Sequence, residues 1–359
     1  MRFHKYYFEN FPSDTPFDGN NPRYVMSLAG VDSVLERIVE SGPYSLAVGD
    51  LDHAELVDAL LRMDVLRLKN DKLGMAAPFF VGQDADILKE LSKKAAADIA
   101  AELLARKERI IEIAERIDNG YPVERNLYHI LCAYIFDGLL FDYLEENGLV
   151  TTSRVHRSGL DYLVILYEDT PCLNGYSDTL LCSYNRLVIN GKGFVSFGDS
   201  RGARNDFYRY QRRKESGLLP EQERNAIPCS METLIENFDR MADGEKVDRC
   251  YVEIYERFGY CRDGKVAVPV YDARSFEIAN DLYAFVVEVT KARVIHALTA
   301  IRRETRLLAI AHEVEEKDIA NEIYHLIFGE VNELLVKSGL VSTPPYYPGE
   351  GRYFKSFER

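Results

Sequence analysis

Six basic residues lie within one short stretch of the sequence and alternate with aromatic residues. The basic residues are Arg201, Arg204, Arg209, Arg212, Arg213 and Lys214, and the aromatic ones are Phe207, Tyr208 and Tyr210. Guanidinium groups bind phosphate and aromatic rings stack on bases, so this combination is typical of nucleic-acid contact. The same residues also suit an exposed linker that lies across the acidic body of its own molecule, because the net charge is −14. The sequence leaves both interpretations open.

Enzyme motifs are present only in incomplete form. Gly191-Lys192-Gly193 followed by Ser196 resembles part of a nucleotide-binding fingerprint, but a predicted strand follows it instead of a helix. The segment from Gly193 to Gly198 has one residue too many for a nucleophile elbow. We therefore predict a protein that is not an enzyme, with no catalytic residue and no cofactor. The alternative is an enzyme with a pocket beside Tyr162, Tyr184 or Phe197.

Histidines and cysteines show no metal-ligand spacing, so no metal site is predicted. The six cysteines contain no CxxC pair, which favours reduced thiols in the cytoplasm, although Cys172 and Cys182 could meet across a hairpin. The first residues lack an apolar signal core, and no run of about 18 uncharged apolar residues occurs. We expect neither export nor a membrane span.

The sequence contains an internal near-repeat at an offset of 191 residues. Residues 148–152 (GLVTT) match residues 339–343 (GLVST), and Pro78 and Pro269, each beside a short apolar run, lie at the same offset. Two independent matches at one offset favour a duplication. Chance similarity between helix-rich segments is the alternative.

A further likeness, between Tyr128-His129 and Tyr324-His325, does not keep that spacing. The two histidines lie 19 and 14 residues before the glycines of the matched segments. A difference of five residues is not a whole number of helical turns, so we discount this pair.

Both halves predict the same order of local elements from apolar spacing and turn residues. These elements are helices at 31–40 and 52–65 with a hairpin turn at Asn70-Asp71, and helices at 231–241 and 247–258 with a turn at Arg262-Asp263-Gly264. The residues from Asp52 to Glu55 have the spacing of a capping box, which predicts the start of the second helix.

This order of helix, short link, helix and two-stranded hairpin resembles the winged-helix variant of the helix-turn-helix superfamily. The resemblance covers about residues 30–81 and 229–271 and identifies no specific family. It implies DNA binding, as in transcription regulators. A protein-interaction or scaffold module is the alternative, because a fold does not fix a function.

Each hairpin is followed by a long predicted helical segment, over residues 84–119 and 275–312. Helices of that length need an equally long packing partner. We expect each to pack on the other, which would make the chain an intramolecular pseudo-dimer. Between the halves, residues 162–167 and the strands flanking Asn190-Gly191 predict a small antiparallel sheet.

The predicted fold is therefore α+β and helix-rich, with two winged-helix-like modules, their long helices and a small central antiparallel β insert. The predicted parts are an N-terminal arm (1–29), a first module (30–154), the β insert with the basic linker (155–228), a second module (229–343) and a C-terminal tail (344–359). The tail is rich in proline, so it cannot be a helix, and we expect it to dock on the fold.

The candidate DNA-binding residues are the basic residues of the two hairpins and of the linker: Arg67, Lys69, Lys72, Arg262, Lys265, Arg201, Arg204, Arg209, Arg212 and Arg213. The candidate recognition helices are unfavourable, because residues 51–65 and 245–258 each contain more acidic than basic side chains. The prediction is thus a regulator that binds DNA or, alternatively, a protein partner, as a pseudo-dimeric monomer or a homodimer with no membrane association.

Overall fold

A computed structural model describes residues 2–11, 15–170, 176, 178–304 and 306–359. The chain is 50% helical and 18% strand, and the strands form several small, largely antiparallel sheets. The predicted α+β, helix-rich class is confirmed.

The α-helices of the described residues contain between 4 and 32 residues each. In chain order they are α1 (Pro22–Ser27), α2 (Val31–Ser41), α3 (Ala54–Arg62), α4 (Gln83–Leu104), α5 (Lys107–Ala114), α6 (Val123–Leu127), α7 (Leu140–Glu146), α8 (Phe207–Glu215), α9 (Glu221–Arg224), α10 (Met231–Ala242), α11 (Arg249–Arg257), α12 (Ala273–Glu304), α13 (Leu308–Ala311) and α14 (Glu316–Ser338). A π-helical segment, Tyr128–Leu139, joins α6 to α7, and a 3-10 turn, Val48–Asp50, precedes α3.

The strands of the described residues contain between two and nine residues each. They are β1 (Phe3–Glu9), β2 (Leu66–Lys69), β3 (Lys72–Met75), β4 (Phe79–Phe80), β5 (Arg154–Val155), β6 (Asp161–Glu168), β7 (Leu181–Ile189), β8 (Lys192–Asp199), β9 (Cys261–Arg262), β10 (Lys265–Val266), β11 (Val270–Tyr271), β12 (Tyr346–Tyr347) and β13 (Gly351–Glu358). The predicted turns at Asn70-Asp71, Asn190-Gly191 and Asp263-Gly264 each connect a hairpin, and all six residues have positive φ.

The chain divides into two compact units, and unit 1 comprises residues 1–95, 141–177 and 292–327. Its main sheet has the order β1-β6-β4, with β5 also paired to β6. β1 runs antiparallel to β6, with Glu9 opposite Tyr162, and β4 runs parallel to β6, with Phe79 opposite Leu166. The apolar faces of α2 and α3 are buried next to the β2-β3 hairpin.

Unit 2 comprises residues 96–140, 178–291 and 328–359. Its sheet has the order β11-β13-β8-β7, with β12 also paired to β13. β8 runs antiparallel to β13, with Gly198 opposite Tyr353, and β11 runs parallel to β13, with Val270 opposite Phe357. Helices α10 and α11 pack through a core that includes Leu234, Phe238, Tyr255, Tyr260 and Phe357.

The units cut across the predicted parts of the chain. Unit 1 includes residues 292–327 from the second half, and unit 2 includes residues 96–140 from the first. Local patterns do not reveal this assignment, because a helix's apolar stripe does not specify which distant segment covers it.

The prediction of one central sheet over residues 155–228 is wrong. β6 pairs with β1 and β4 in unit 1, whereas β7 and β8 pair with β13 in unit 2. Residues 1–29 are likewise not an arm, since they include β1 and α1. The C-terminal tail forms β12 and β13. The physical reason is that strand partners lie far apart in sequence, so short-range turn signals cannot assign them.

Two local predictions also need correction. The long segments at 84–119 and 275–312 are broken, because α4 ends at Leu104 and α12 ends at Glu304. The capping box from Asp52 to Glu55 does not form, since α3 has His53 at its N-cap with no side-chain capping bond. Helix α3 begins one residue too late for the Asp52 carboxylate to occupy that position.

In the part of the chain that the structure describes, one helix, Val123–Glu146, is long and apolar enough to span a membrane by length and composition. Its most apolar window has a mean hydropathy of 1.3 and is 67% buried within the protein, as is common for the core helix of a soluble protein. Cys132, Cys229, Cys250 and Cys261 are free thiols. Cys172 lies outside the described residues, and so does its predicted contact with Cys182.

Candidate functional site

The exposed face of α3 in unit 1 is acidic. Val57 and Leu60 are fully buried and fix the rotation of the helix. That rotation exposes Glu55, Asp58 and Arg62. Two carboxylates against one guanidinium give this face a net negative charge, which a phosphate backbone would repel.

The predicted phosphate-binding residues of the first hairpin lie beside carboxylates of the same unit. The ammonium group of Lys69 on β2 pairs with Glu313 and lies 5.3 Å from the centre of the Tyr44 ring. Lys72 on β3 is 3.8 Å from a carboxylate oxygen of Asp50. Hydrogen bonds from Lys69 and Tyr44 lower the pKa of Glu313, and nearby Arg67 lowers it further. These cations are therefore partly neutralised by the protein itself.

The second candidate recognition helix, α11 in unit 2, is also mixed in charge. Arg249 forms an ion pair of 2.9 Å with Glu253, both on its exposed face. The Glu256 carboxylate accepts a hydrogen bond of 2.8 Å from the amide of Gly264 in the β9-β10 turn. Arg262 and Lys265 of this hairpin are exposed and remain available for contact.

The basic linker folds into unit 2. Arg204 is only 3% exposed, and its guanidinium donates to the carbonyl oxygens of Ser183, at 2.9 Å, and Asp199. Burial lowers the pKa of Arg204 to about 10, with neighbouring Arg209 acting in the same direction. Arg204 cannot reach a nucleic acid from this position, so its prediction as a phosphate contact is wrong. Sequence alone cannot separate a buried arginine from an exposed one.

The other linker arginines also bind their own chain. Arg201 forms an ion pair of 2.6 Å with Asp178, Arg212 lies 3.9 Å from Glu215, and Arg213 lies 3.8 Å from Glu223. Burial lowers the pKa of Arg209, whose backbone amide donates to the side chain of Asp206, the N-cap residue of α8. Of the two interpretations of this stretch, the geometry favours docking on its own molecule.

The structure also contains a buried acid–base cluster in unit 2 that sequence analysis missed. His129 on the π-helical segment stacks on Tyr271 at 4.2 Å, and its Nε2 lies 3.4 Å from Oε1 of Glu358. Tyr184 donates to Glu358, and Arg186 forms an ion pair with it at 2.8 Å. The likeness between Tyr128-His129 and Tyr324-His325 was a sequence signal for this position. It was discounted because the two pairs lie at different distances from the matched glycines.

The electrostatics of this cluster favour a structural role. Burial opposes ionisation of Glu358, but nearby His129, the charge of Arg186 and the hydrogen bond from Tyr184 lower its pKa to about 2. Burial lowers the pKa of His129, so Arg186 provides the main counter-charge. Because the His129 and Glu358 side chains are 2% and 3% exposed, a substrate could not reach this pair without opening the fold.

The glycines that resemble a nucleotide fingerprint serve strand packing. A Cβ on Gly193 would lie 2.0 Å from the carbonyl oxygen of Leu187, and one on Gly198 would lie 2.0 Å from that of Arg352. Both positions therefore allow β8 to approach its neighbouring strands closely. They do not form a phosphate loop.

One cavity in unit 1, lined by Met63, Val65, His156 and Tyr162 among others, has a volume of about 10 Å³, enough for one water molecule. The described residues include no group of three or more His, Cys, Asp or Glu side chains that could hold a metal ion.

No family model, curated protein or solved structure matches this chain. The assignment of function therefore depends on the geometry given above.

Proposed function

We propose that this chain is a non-catalytic winged-helix protein made of two duplicated halves, which binds a protein partner through the exposed face of α3. The observation that carries the proposal is the charge of that face. Glu55 and Asp58 are exposed, whereas the nearby hairpin cations Lys69 and Lys72 lie beside Glu313 and Asp50. Such a surface suits a basic protein surface better than a phosphate backbone.

The strand registers support the duplication. The parallel pairs Phe79–Leu166 and Val270–Phe357 are related by the same offset of 191 residues that relates the matched prolines. The order of helix, helix, hairpin and strand is α2-α3-β2-β3-β4 in one half and α10-α11-β9-β10-β11 in the other. Chance similarity of local patterns would not reproduce the register of long-range strand pairs.

The composition of the units supports the pseudo-dimer. Residues 96–140 of the first half belong to unit 2, and residues 292–327 of the second half belong to unit 1. This reciprocal assignment is typical of swapped segments in dimers. We propose that the two halves represent the subunits of such a dimer, joined in one chain.

The protein-binding proposal is tested by reversing charge on α3. The variant Glu55→Lys/Asp58→Lys changes two exposed carboxylates, and Asp86→Lys/Glu90→Lys, on the exposed side of α4, is the matched control. Affinity purification after cross-linking should recover a protein partner with the wild type and the α4 variant. The α3 variant should lose most of that partner, because complementary charge has become repulsive. Equal recovery with both variants would reject α3 as the contact.

A second candidate function, DNA binding, is favoured by the exposure of Arg262 and Lys265 on the second hairpin. Fluorescence anisotropy with duplex DNA at several salt concentrations tests it. If these residues contact phosphate, Arg262→Ala and Lys265→Ala should each weaken binding and reduce the salt dependence by about one counterion. No salt-sensitive binding at micromolar protein would reject this function.

A further inference from the structure

The outer edge of β1 in unit 1 has no strand partner among the residues that the structure describes. β1 is the terminal strand of the order β1-β6-β4. The corresponding edge of unit 2 is occupied, because β7 pairs antiparallel with β8 on the side away from β13. By the duplication proposed above, on which this step depends, β1 corresponds to β8. The edge of β1 therefore has the geometry of a place for one more antiparallel strand.

Backbone hydrogen bonds show which residues of β1 face that edge. The amide of Asn10 donates to Asp161, and the carbonyl oxygen of Arg2 accepts from the amide of Asp169. Since the bonded residues of an antiparallel strand alternate, the even-numbered residues of β1 bond to β6. The amide and carbonyl groups of Phe3, Lys5 and Tyr7 consequently point to the outer edge.

We propose that this edge pairs with β1 of a second copy of the chain, forming an antiparallel dimer. Backbone hydrogen bonding requires outward-facing residues to lie opposite each other, and two-fold symmetry then permits Tyr7 opposite Tyr7 with Lys5 opposite Glu9. This register places opposite charges across the interface twice. It also places Tyr6 opposite Phe8, an aromatic cross-strand pair.

The charges next to β1 favour this register. Lys5 forms an ion pair of 2.7 Å with Asp32 at the start of α2, and Arg23 of α1 pairs with Glu9. In this register Lys5 of one copy lies opposite Glu9 of the second. Asp32 and Lys5 of the first copy are then followed by Glu9 and Arg23 of the second, so the charges alternate in sign. A register with Lys5 opposite Lys5 would place like charges together and is disfavoured.

Proline substitution tests the pairing without disturbing the unit 1 sheet. Lys5→Pro removes an amide hydrogen that points away from β6, a position that edge strands tolerate. Lys5→Ala is the matched control, since it removes the same side chain but keeps the amide. Sedimentation equilibrium over the micromolar range should show a dimer for the wild type and for Lys5→Ala. Lys5→Pro should be a monomer.

A wild-type monomer throughout that range, or a dimer that Lys5→Pro leaves unchanged, would overturn the proposal. Should Lys5→Pro fail to fold by circular dichroism, a charge reversal decides. Lys5→Glu places carboxylates opposite Glu9 of the second copy twice, so it should raise the dimer dissociation constant about tenfold relative to Lys5→Ala. An unchanged dissociation constant in a folded Lys5→Glu variant also overturns the register.

Hydrogen exchange provides an independent measurement. The amides of Lys5 and Tyr7 should become protected as the protein concentration rises, while the amide of Tyr6, which bonds to β6, should be protected at every concentration. Protection of Lys5 and Tyr7 that does not depend on concentration would contradict the dimer. None of these measurements requires another protein, so their failure is distinguishable from failure of the α3 proposal.

Discussion

The phenol of Tyr167 on β6 donates a hydrogen bond of 2.7 Å to the carboxyl group of Glu322 on α14. Both side chains are buried in unit 1. Burial raises the pKa of Glu322 to about 8, against the smaller opposing effect of the Tyr167 hydrogen bond. Glu322 is therefore largely protonated at neutral pH, as a neutral link between the sheet and the helix.

This link predicts a loss of stability as pH rises. The unfolded chain ionises Glu322 near its ordinary pKa of 4.5, and the folded chain only near 8. Within that window the fold binds the extra proton, so the group's contribution should fall by about 1.4 kcal/mol per pH unit. Glu322→Gln keeps an acceptor for Tyr167 and cannot ionise. It should be more stable than the wild type at pH 8 and within about 1 kcal/mol of it at pH 4.5.

Urea unfolding at the two pH values measures this difference. Glu315→Gln, at an exposed position just before α14, is the control and should show no such pH dependence relative to the wild type. A Glu322→Gln variant that follows the wild-type pH profile would contradict a buried neutral carboxyl.

His312 predicts a dependence of the opposite sign. Its Nδ1 accepts a hydrogen bond of 3.1 Å from the amide of Met75, and burial lowers its pKa to about 4. Between pH 6.5 and 4 the unfolded chain binds the extra proton, so stability should fall by about 3 kcal/mol as the solution is acidified. His312→Asn retains an acceptor and should remove this loss. His53→Asn, at an exposed position, should retain it when both are followed by acid titration of the unfolding midpoint.

Arg204 should affect folding and not nucleic-acid binding. Arg204→Ala removes a buried guanidinium near Asp199 and Asp206, leaving buried acceptors without their donor. We expect a loss of about 3–5 kcal/mol in the free energy of unfolding. Arg213→Ala, at an exposed position of the same linker, should change it by less than about 0.5 kcal/mol. Equal effects in denaturant titrations would contradict the self-docked linker.

Gly198 provides a test of close strand packing. A methyl group there would meet the carbonyl oxygen of Arg352 on the neighbouring strand β13 at 2.0 Å. Gly198→Ala should cost about 3 kcal/mol or more because the strands must separate. Gly19→Ala is the control, since a Cβ at Gly19 would have no neighbour within 4 Å. Thermal unfolding of the two variants compares them, and similar midpoints would reject the packing explanation.

The sequence by itself determined the local elements. The apolar stripes predicted α2, α10 and α11, because a helix must bury one face and its period is visible in the chain. Asn70-Asp71 and Asn190-Gly191 predicted hairpin turns, because few residues adopt positive φ. The helix-rich α+β class followed from these elements. The proline offset also indicated the relation between β4 and β11 that the strand registers support.

Tertiary structure alone decided which segments pair. β1 and β6 are separated by more than 150 residues, as are β8 and β13, and no turn signal connects either pair. Burial of Arg204 and exposure of Arg262 were likewise not readable from charge, since both residues are arginines among polar neighbours. The physical reason is the same in each instance. Local patterns follow from the chain's own backbone and neighbours, whereas pairing and burial depend on which distant residues exclude water from a group.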